Sequence, residues 1–168
     1  GLIGCGHVGK DVVRLLSAFG IKILVHDIIE QPEFYDSFGV QSVSKEELLK
    51  RSDIVSLHVP YTDLTKNMIN ENELILMKET SFLINSARGG LVNEEALFKA
   101  LKSGKIAGAA FDVFEEEPAI NNELFTLDNF YSTPHIGGST KTSILAMGRS
   151  AIKGLSEHLE AKNFFGMY

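Results

Sequence analysis

Short apolar runs, apolar on both faces and too brief to form helices, recur along the chain between stretches of helical periodicity, and few folds accommodate that alternation. The runs cover residues 21–25, 54–57, 81–85, 106–111 and 130–132, with Leu2 and Ile3 as a remnant of one more. From His7 the pattern turns helical, with Val8, Val12, Leu15, Leu16 and Phe19 recurring at spacings of three and four until Gly20 stops it. Ser44 with Glu47, and Asn70 with Glu73, have the spacing of a capping box ahead of Leu48, Leu49 and Leu74. Asn93 can cap a helix over 94–103 that Gly104 ends, and a last helix over about 140–159 is expected to pack back on the sheet. Strands buried on both faces and alternating with helices specify a parallel sheet between two helical layers. The expected fold is therefore a three-layer, doubly wound α/β domain of the Rossmann type.

A chain of 168 residues suits one such domain, and its 44% hydrophobic and 23% charged residues are ordinary for a globular protein. Its formal charge of −6, with no run of consecutive Lys or Arg, lacks the footprint of a nucleic-acid or anionic-membrane partner. The longest apolar stretches are strand-sized, far below the ~20 residues of a membrane span. The single cysteine, Cys5, precludes an internal disulfide, and no charged leader precedes an apolar segment, which points to a reducing cytoplasm. His26 and His158 have no partners at metal-ligand spacing, and no metal is expected. The chain starts at Gly1, without an initiator Met and inside a strand, so a fragment of a longer polypeptide is expected.

Gly4-Cys5-Gly6-His7-Val8-Gly9 fits G-x-G-x-x-G between a strand remnant and an amphipathic helix. In that setting glycines permit a tight turn, close approach of backbone to a pyrophosphate, and packing of helix on strand. Asp27 lies 18 residues after Gly9 at the end of the next strand, where a carboxylate can accept from ribose hydroxyls. Its charge would repel a 2′-phosphate, and Ile28 and Ile29 supply no compensating cation, which favours NAD over NADP. His7 and Val8 are expected to contribute main-chain N–H groups at the helix start. Cys5 is expected to be a small loop filler rather than a nucleophile.

Ligands in open α/β sheets bind beyond the carboxyl ends of the strands, and here those ends carry polar residues. They are His58-Val59-Pro60, Ser86-Ala87-Arg88-Gly89-Gly90, Asp112 with Glu115-Glu116-Glu117-Pro118, and Pro134-His135-Ile136-Gly137-Gly138. An Arg, a carboxylate and a His drawn from different crossovers can polarise a carbonyl and move a proton. His58 reads as a residue closing its strand through a buried hydrogen bond.

Segments 86–97, 104–115 and 133–138, together with the glycine fingerprint and His58-Val59-Pro60, resemble the signature segments of the D-isomer-specific 2-hydroxyacid dehydrogenases, and the likeness runs over nearly the whole chain. The resemblance implies an NAD-linked interconversion of D-2-hydroxy acids and 2-oxo acids. It assigns Arg88 to the substrate carboxylate and carbonyl, a task suited to the paired donors of a guanidinium. His135 takes the place of the acid/base, and Glu117 that of the carboxylate which holds its imidazole and favours the charged form, with Glu115 as the fallback in a run of three glutamates. Asp112 falls near the nicotinamide amide, and Val59, Pro60, Ser86, Ala87, Gly137 and Gly138 complete the cofactor groove. The resemblance further implies a homodimer and a second, smaller substrate domain that residues 1–168 do not contain. A non-catalytic NAD-sensing scaffold of the corepressor type, which keeps a similar triad, is the alternative.

Overall fold

The computed structural model describes residues 1–156; His158 and the end of the expected final helix lie outside them. By compactness the chain divides after Pro134, so the part up to Pro134 and the part beginning at His135 are two units.

The first unit is a seven-stranded sheet, parallel throughout, in the order β3-β2-β1-β4-β5-β6-β7. Its strands are β1 (Leu2–Ile3), β2 (Leu24–His26), β3 (Gln41–Ser42), β4 (Ile54–Leu57), β5 (Phe82–Asn85), β6 (Gly108–Phe111) and β7 (Phe130–Ser132). Its helices are α1 (His7–Ser17), α2 (Pro32–Phe38), α3 (Lys45–Arg51), α4 (Glu71–Leu76) and α5 (Glu94–Lys102), with a short 3-10 turn at Glu123–Thr126. The strand order reverses between β1 and β4, the switch point at which open α/β sheets bind ligands.

Side chains alternate across the sheet. Leu2, Val25 and Ile23 join Val13 and Tyr35 under α1 and α2, while Ile3, Leu24, Val55, Leu57, Leu83 and Ala109 face Leu48, Leu49, Leu74, Leu97 and Leu101 of α3, α4 and α5. The second cluster is much the larger, and at ~1.5–3 kcal/mol for each fully buried aliphatic side chain it outweighs surface ion pairs such as Lys50–Glu46 or Lys99–Glu95 at ~0–1 kcal/mol. Over β4 to β7 the opposite face is more open, for Ile54, Phe82 and Tyr131 are exposed there.

The caps behave as their chemistry dictates. Ser44 Oγ accepts from Glu47 N at 3.2 Å, Asn93 accepts from Ala96 N at 2.8 Å, and Asn70 and Glu73 form a reciprocal capping box. Gly20 and Gly104 take φ of 66° and 72° just beyond α1 and α5. Helix α2 and strand β3 are additions to the sequence reading. The face of α1 also differs from its apolar period: Val8, Leu15 and Phe19 are exposed, and Gly9 and Val13 are the buried residues. Gly9 is held against the β1 turn, which fixes the rotation of the helix and places residue 13, one turn later, inward.

The second unit contains α6 (Lys141–Ser156). Along it Ile144, Leu145, Met147, Ile152 and Leu155 are exposed.

Candidate active site

Beyond Ile3 the chain turns at Gly4, whose φ of 96° lies in the left-handed region. A Cβ at Gly4 would stand 2.6 Å from the His58 carbonyl oxygen, and one at Gly9 would stand 2.4 Å from the Gly4 carbonyl oxygen. The protein's own backbone therefore demands both glycines. Gly6 is different, because its φ of −71° suits any residue and a Cβ there would meet nothing within 4 Å. Among the described residues no contact requires glycine at position 6, whereas a ligand lying on the main chain would.

Gly6 caps α1 without a side-chain hydrogen bond, and the first turn holds no acidic residue. Lys10 N bonds back to Gly6 O at 2.9 Å, which leaves the amides of His7, Val8 and Gly9 without intrahelical partners at the positive end of the helix. Asp27, at the end of β2, accepts from Cys5 N at 2.5 Å and from Ile29 N at 2.9 Å, and Gln31 Nε2 donates to Cys5 O at 2.9 Å. Asp27 and Gln31 thus hold both sides of the residue between the first two glycines. A carboxylate offers about four acceptor positions, so Asp27 retains capacity for ribose hydroxyls. Burial, and then the nearby Asp27 charge, push the Cys5 thiol up, in keeping with a space-filling thiol rather than a nucleophile.

Val8, His58, Val59, Pro60, Ser86, Ala87 and Arg88 line one cavity of about 240 Å³ beside this loop. The ends of β1, β4 and β5 thus bring together residues far apart in sequence. His58 Nε2 lies 3.0 Å from Ser56 Oγ, and burial lowers its imidazole below the ordinary 6.5, so it closes the strand in neutral form. Arg88 is exposed, with Nη1 donating to Ala87 O at 2.6 Å. The turn that carries it is braced by Asn85, a buried residue that accepts from Ala87 N at 3.1 Å and donates to Arg88 O at 2.9 Å. Neither Asn85 nor Gln31 stands out in the sequence; an Asn ending a strand before a turn is the signal for the first.

The loops after β5 and β6 touch. A Cβ on Gly89 would fall 1.8 Å from the Phe114 carbonyl oxygen and 2.7 Å from Glu115 N, so only glycine lets the two backbones meet. Glu117 Oε1 accepts from Phe114 N at 2.9 Å, which ties its carboxylate to the residue whose carbonyl borders the Arg88 turn. Asp112, at the end of β6, receives a hydrogen bond from Thr133 Oγ1 at the end of β7. His135, Gly137 and Gly138 belong to the second unit, where His135 is exposed with φ of 53° and Ser139 N closes a turn on Ile136 O at 2.9 Å.

A sequence model described as D-isomer specific 2-hydroxyacid dehydrogenase, NAD binding domain, matches residues 1–137. The chain belongs to the D-isomer-specific 2-hydroxyacid dehydrogenase family. It is 47% identical over 149 residues to D-3-phosphoglycerate dehydrogenase of Methanocaldococcus jannaschii, covering 88% of this chain and 28% of that protein. To glyoxylate reductase of Thermococcus litoralis it is 46% identical over 155 residues, covering 92% of this chain and 47% of that one. Among solved structures, a D-isomer specific 2-hydroxyacid dehydrogenase from Lactobacillus delbrueckii ssp. bulgaricus, NAD complexed form, superposes with a TM-score of 0.81 at 35% identity, covering 95% of this chain and 53% of that one. The chain spans about half or less of the length of the curated relatives it matches.

In this family member the three fingerprint glycines should separate experimentally. Gly9→Ala forces a clash with Gly4 and should cost about 1–3 kcal/mol or more in urea unfolding. Gly6→Ala should alter stability by less than about 1 kcal/mol yet weaken NADH binding, followed by fluorescence titration, at least about tenfold. Equal NADH affinity in Gly6→Ala and wild type would contradict the reading of the loop.

His58 gives a second test. Unfolding returns a depressed imidazole to its ordinary value, so the unfolded chain binds more protons just below pH 6.5. The stabilisation from neutral His58 is complete above that value and is lost as pH falls through the window down to the folded-state value. Urea midpoints at about pH 7.5 and about pH 5.5 should drop more in wild type than in His58→Gln; parallel drops would refute this.

Proposed function

We propose that the polypeptide to which this chain belongs interconverts a D-2-hydroxy acid and its 2-oxo acid, with NAD as hydride acceptor or donor. The observation that carries the reading is the meeting of the Arg88 turn and the Glu117 loop at Gly89, beside the cavity lined by Val8, Val59, Pro60 and Ser86. The open space at Gly6, the uncapped start of α1 and the carboxylate of Asp27 fit a dinucleotide whose pyrophosphate meets the amides of His7, Val8 and Gly9. Asp27 favours NAD over NADP by repelling a 2′-phosphate. When bound, the nicotinamide supplies or accepts hydride at C4.

The chain's residues then have separate tasks. The Arg88 guanidinium pairs its parallel N–H groups with the substrate carboxylate and polarises the reacting carbonyl. His135 takes the hydroxyl proton during oxidation and returns it during reduction. Glu117 accepts a hydrogen bond from the other imidazole nitrogen, fixing the tautomer and stabilising the charged ring. Asp112, held by Thr133, would serve the nicotinamide amide, and the main chain at Val59, Pro60, Ser86, Ala87, Gly137 and Gly138 would complete the groove. A homodimer and a cytoplasmic location belong to the same proposal, on the family likeness and on a composition with a single cysteine.

The test is turnover by the intact polypeptide with NADH and a panel of 2-oxo acids. His135→Ala and Arg88→Ala should each reduce kcat by about 10²–10⁴ while the NADH dissociation constant changes less than about threefold. Near-normal turnover in either variant would overturn the assigned roles.

A further inference from the structure

Glu94 is the first residue of α5 and is absent from the roles described so far. Its two carboxylate oxygens hold two points on one loop. Oε1 accepts from Glu115 N at 2.8 Å, and Oε2 accepts from Asn122 Nδ2 at 2.7 Å. Between those points lies segment 115–122, which carries Glu117 and Pro118. Asn122 cannot turn its amide over without cost, because Oδ1 accepts from Leu124 N at 3.0 Å to cap the 3-10 turn at Glu123–Thr126. The Glu94 end is equally fixed, since α5 is anchored by buried Leu97 and Leu101 and capped by Asn93. The helix that starts behind the Arg88 turn therefore grips both ends of the loop that bears the carboxylate of the acid/base pair.

We infer that Glu94 is a positioning residue: a single carboxylate staples both ends of the 115–122 loop, so that Glu117 is held at the reacting centre. This rests on the dehydrogenase reading given above. Glu94 acts only through Glu117 and touches neither substrate nor cofactor. The geometry also defines which replacements preserve the staple. In Glu94→Gln one oxygen becomes an NH₂ group and opposes a donor, so one of the two grips is lost. In Asn122→Asp two carboxylates face each other and the second grip is lost. With both changes made, the new amide group at position 94 can donate to the new carboxylate at position 122. The oxygen kept at position 94 still accepts from Glu115 N, the carboxylate at 122 still caps Leu124, and the formal charge is unchanged.

The experiment compares wild type, E94Q, N122D and the E94Q/N122D double variant of the intact polypeptide in steady-state reduction of a 2-oxo acid by NADH, with E95Q as a control for lost charge in the same helical turn. Each single variant should lower kcat by about ten- to a hundredfold with the KM for NADH changed less than about twofold, and the double variant should return to within about threefold of wild type. Hydrogen exchange over 115–122 should quicken in E94Q and slow again in the double variant. Wild-type kcat in E94Q, a loss equalled in E95Q, or a double variant as slow as the singles combined would overturn the proposal. No turnover in the unmutated enzyme would instead bring down the dehydrogenase reading, and this inference with it.

Discussion

The carboxyl edge of this sheet exists because backbones approach there more closely than side chains permit. Gly4 and Gly9 let the β1 turn, the start of α1 and the His58 peptide stack directly, and Gly89 does the same for the loops after β5 and β6. A methyl group at any of those points would enter another residue's main chain, and interiors packed to crystal-like density offer no room to absorb it. The polar features of the edge hang from these junctions: the first-turn amides of α1, the cavity wall from His58 to Pro60, and the Arg88 turn beside the Glu117 loop.

Around those junctions the polar side chains act mostly as braces. Asp27 and Gln31 hold Cys5, Asn85 holds the Arg88 turn, Thr133 holds Asp112, and Glu94 holds both ends of the 115–122 loop. A helix terminus contributes only ~0.3–1 kcal/mol toward an anion at an exposed site, so no single group here secures a dinucleotide alone. Affinity must come from several weak donors kept in place, which is what a braced loop on a rigid parallel sheet provides.

Much of this is legible in the sequence where local chemistry and tertiary need coincide. Strands β4 and β7 have the bounds that their apolar runs indicate, and Ser44, Asn70 and Asn93 cap the helices that follow them. Helix α2 escapes the sequence reading although Pro32 at its start and left-handed Gly39 at its end are ordinary start and stop signals and Phe34, Tyr35 and Phe38 keep helical spacing, because seven residues are too short a window for the period to stand out. Strand β6 begins at Gly108 rather than at 106, where pairing with Phe82 of β5 begins. The inward face of α1 is not readable from Val8, Leu15 and Phe19, since the close approach of Gly9 to the Gly4 turn sets it. Site residues that work through the main chain announce themselves as glycine motifs. Gln31 and Glu94 do not, because their partners lie 21 to 28 residues away.

We propose that the guanidinium of Arg88, the carboxylate of Glu117 and the imidazole of His135 act on one substrate beside the nucleotide loop. A crystal structure of the intact polypeptide with NAD and oxamate, an unreactive mimic of a 2-oxo acid, tests it most directly. The account predicts pyrophosphate on the His7 and Val8 amides, Arg88 forked onto the oxamate carboxylate, and the His135 ring bridging oxamate and Glu117. Nucleotide bound elsewhere, or those side chains found on separate flanks, would contradict it.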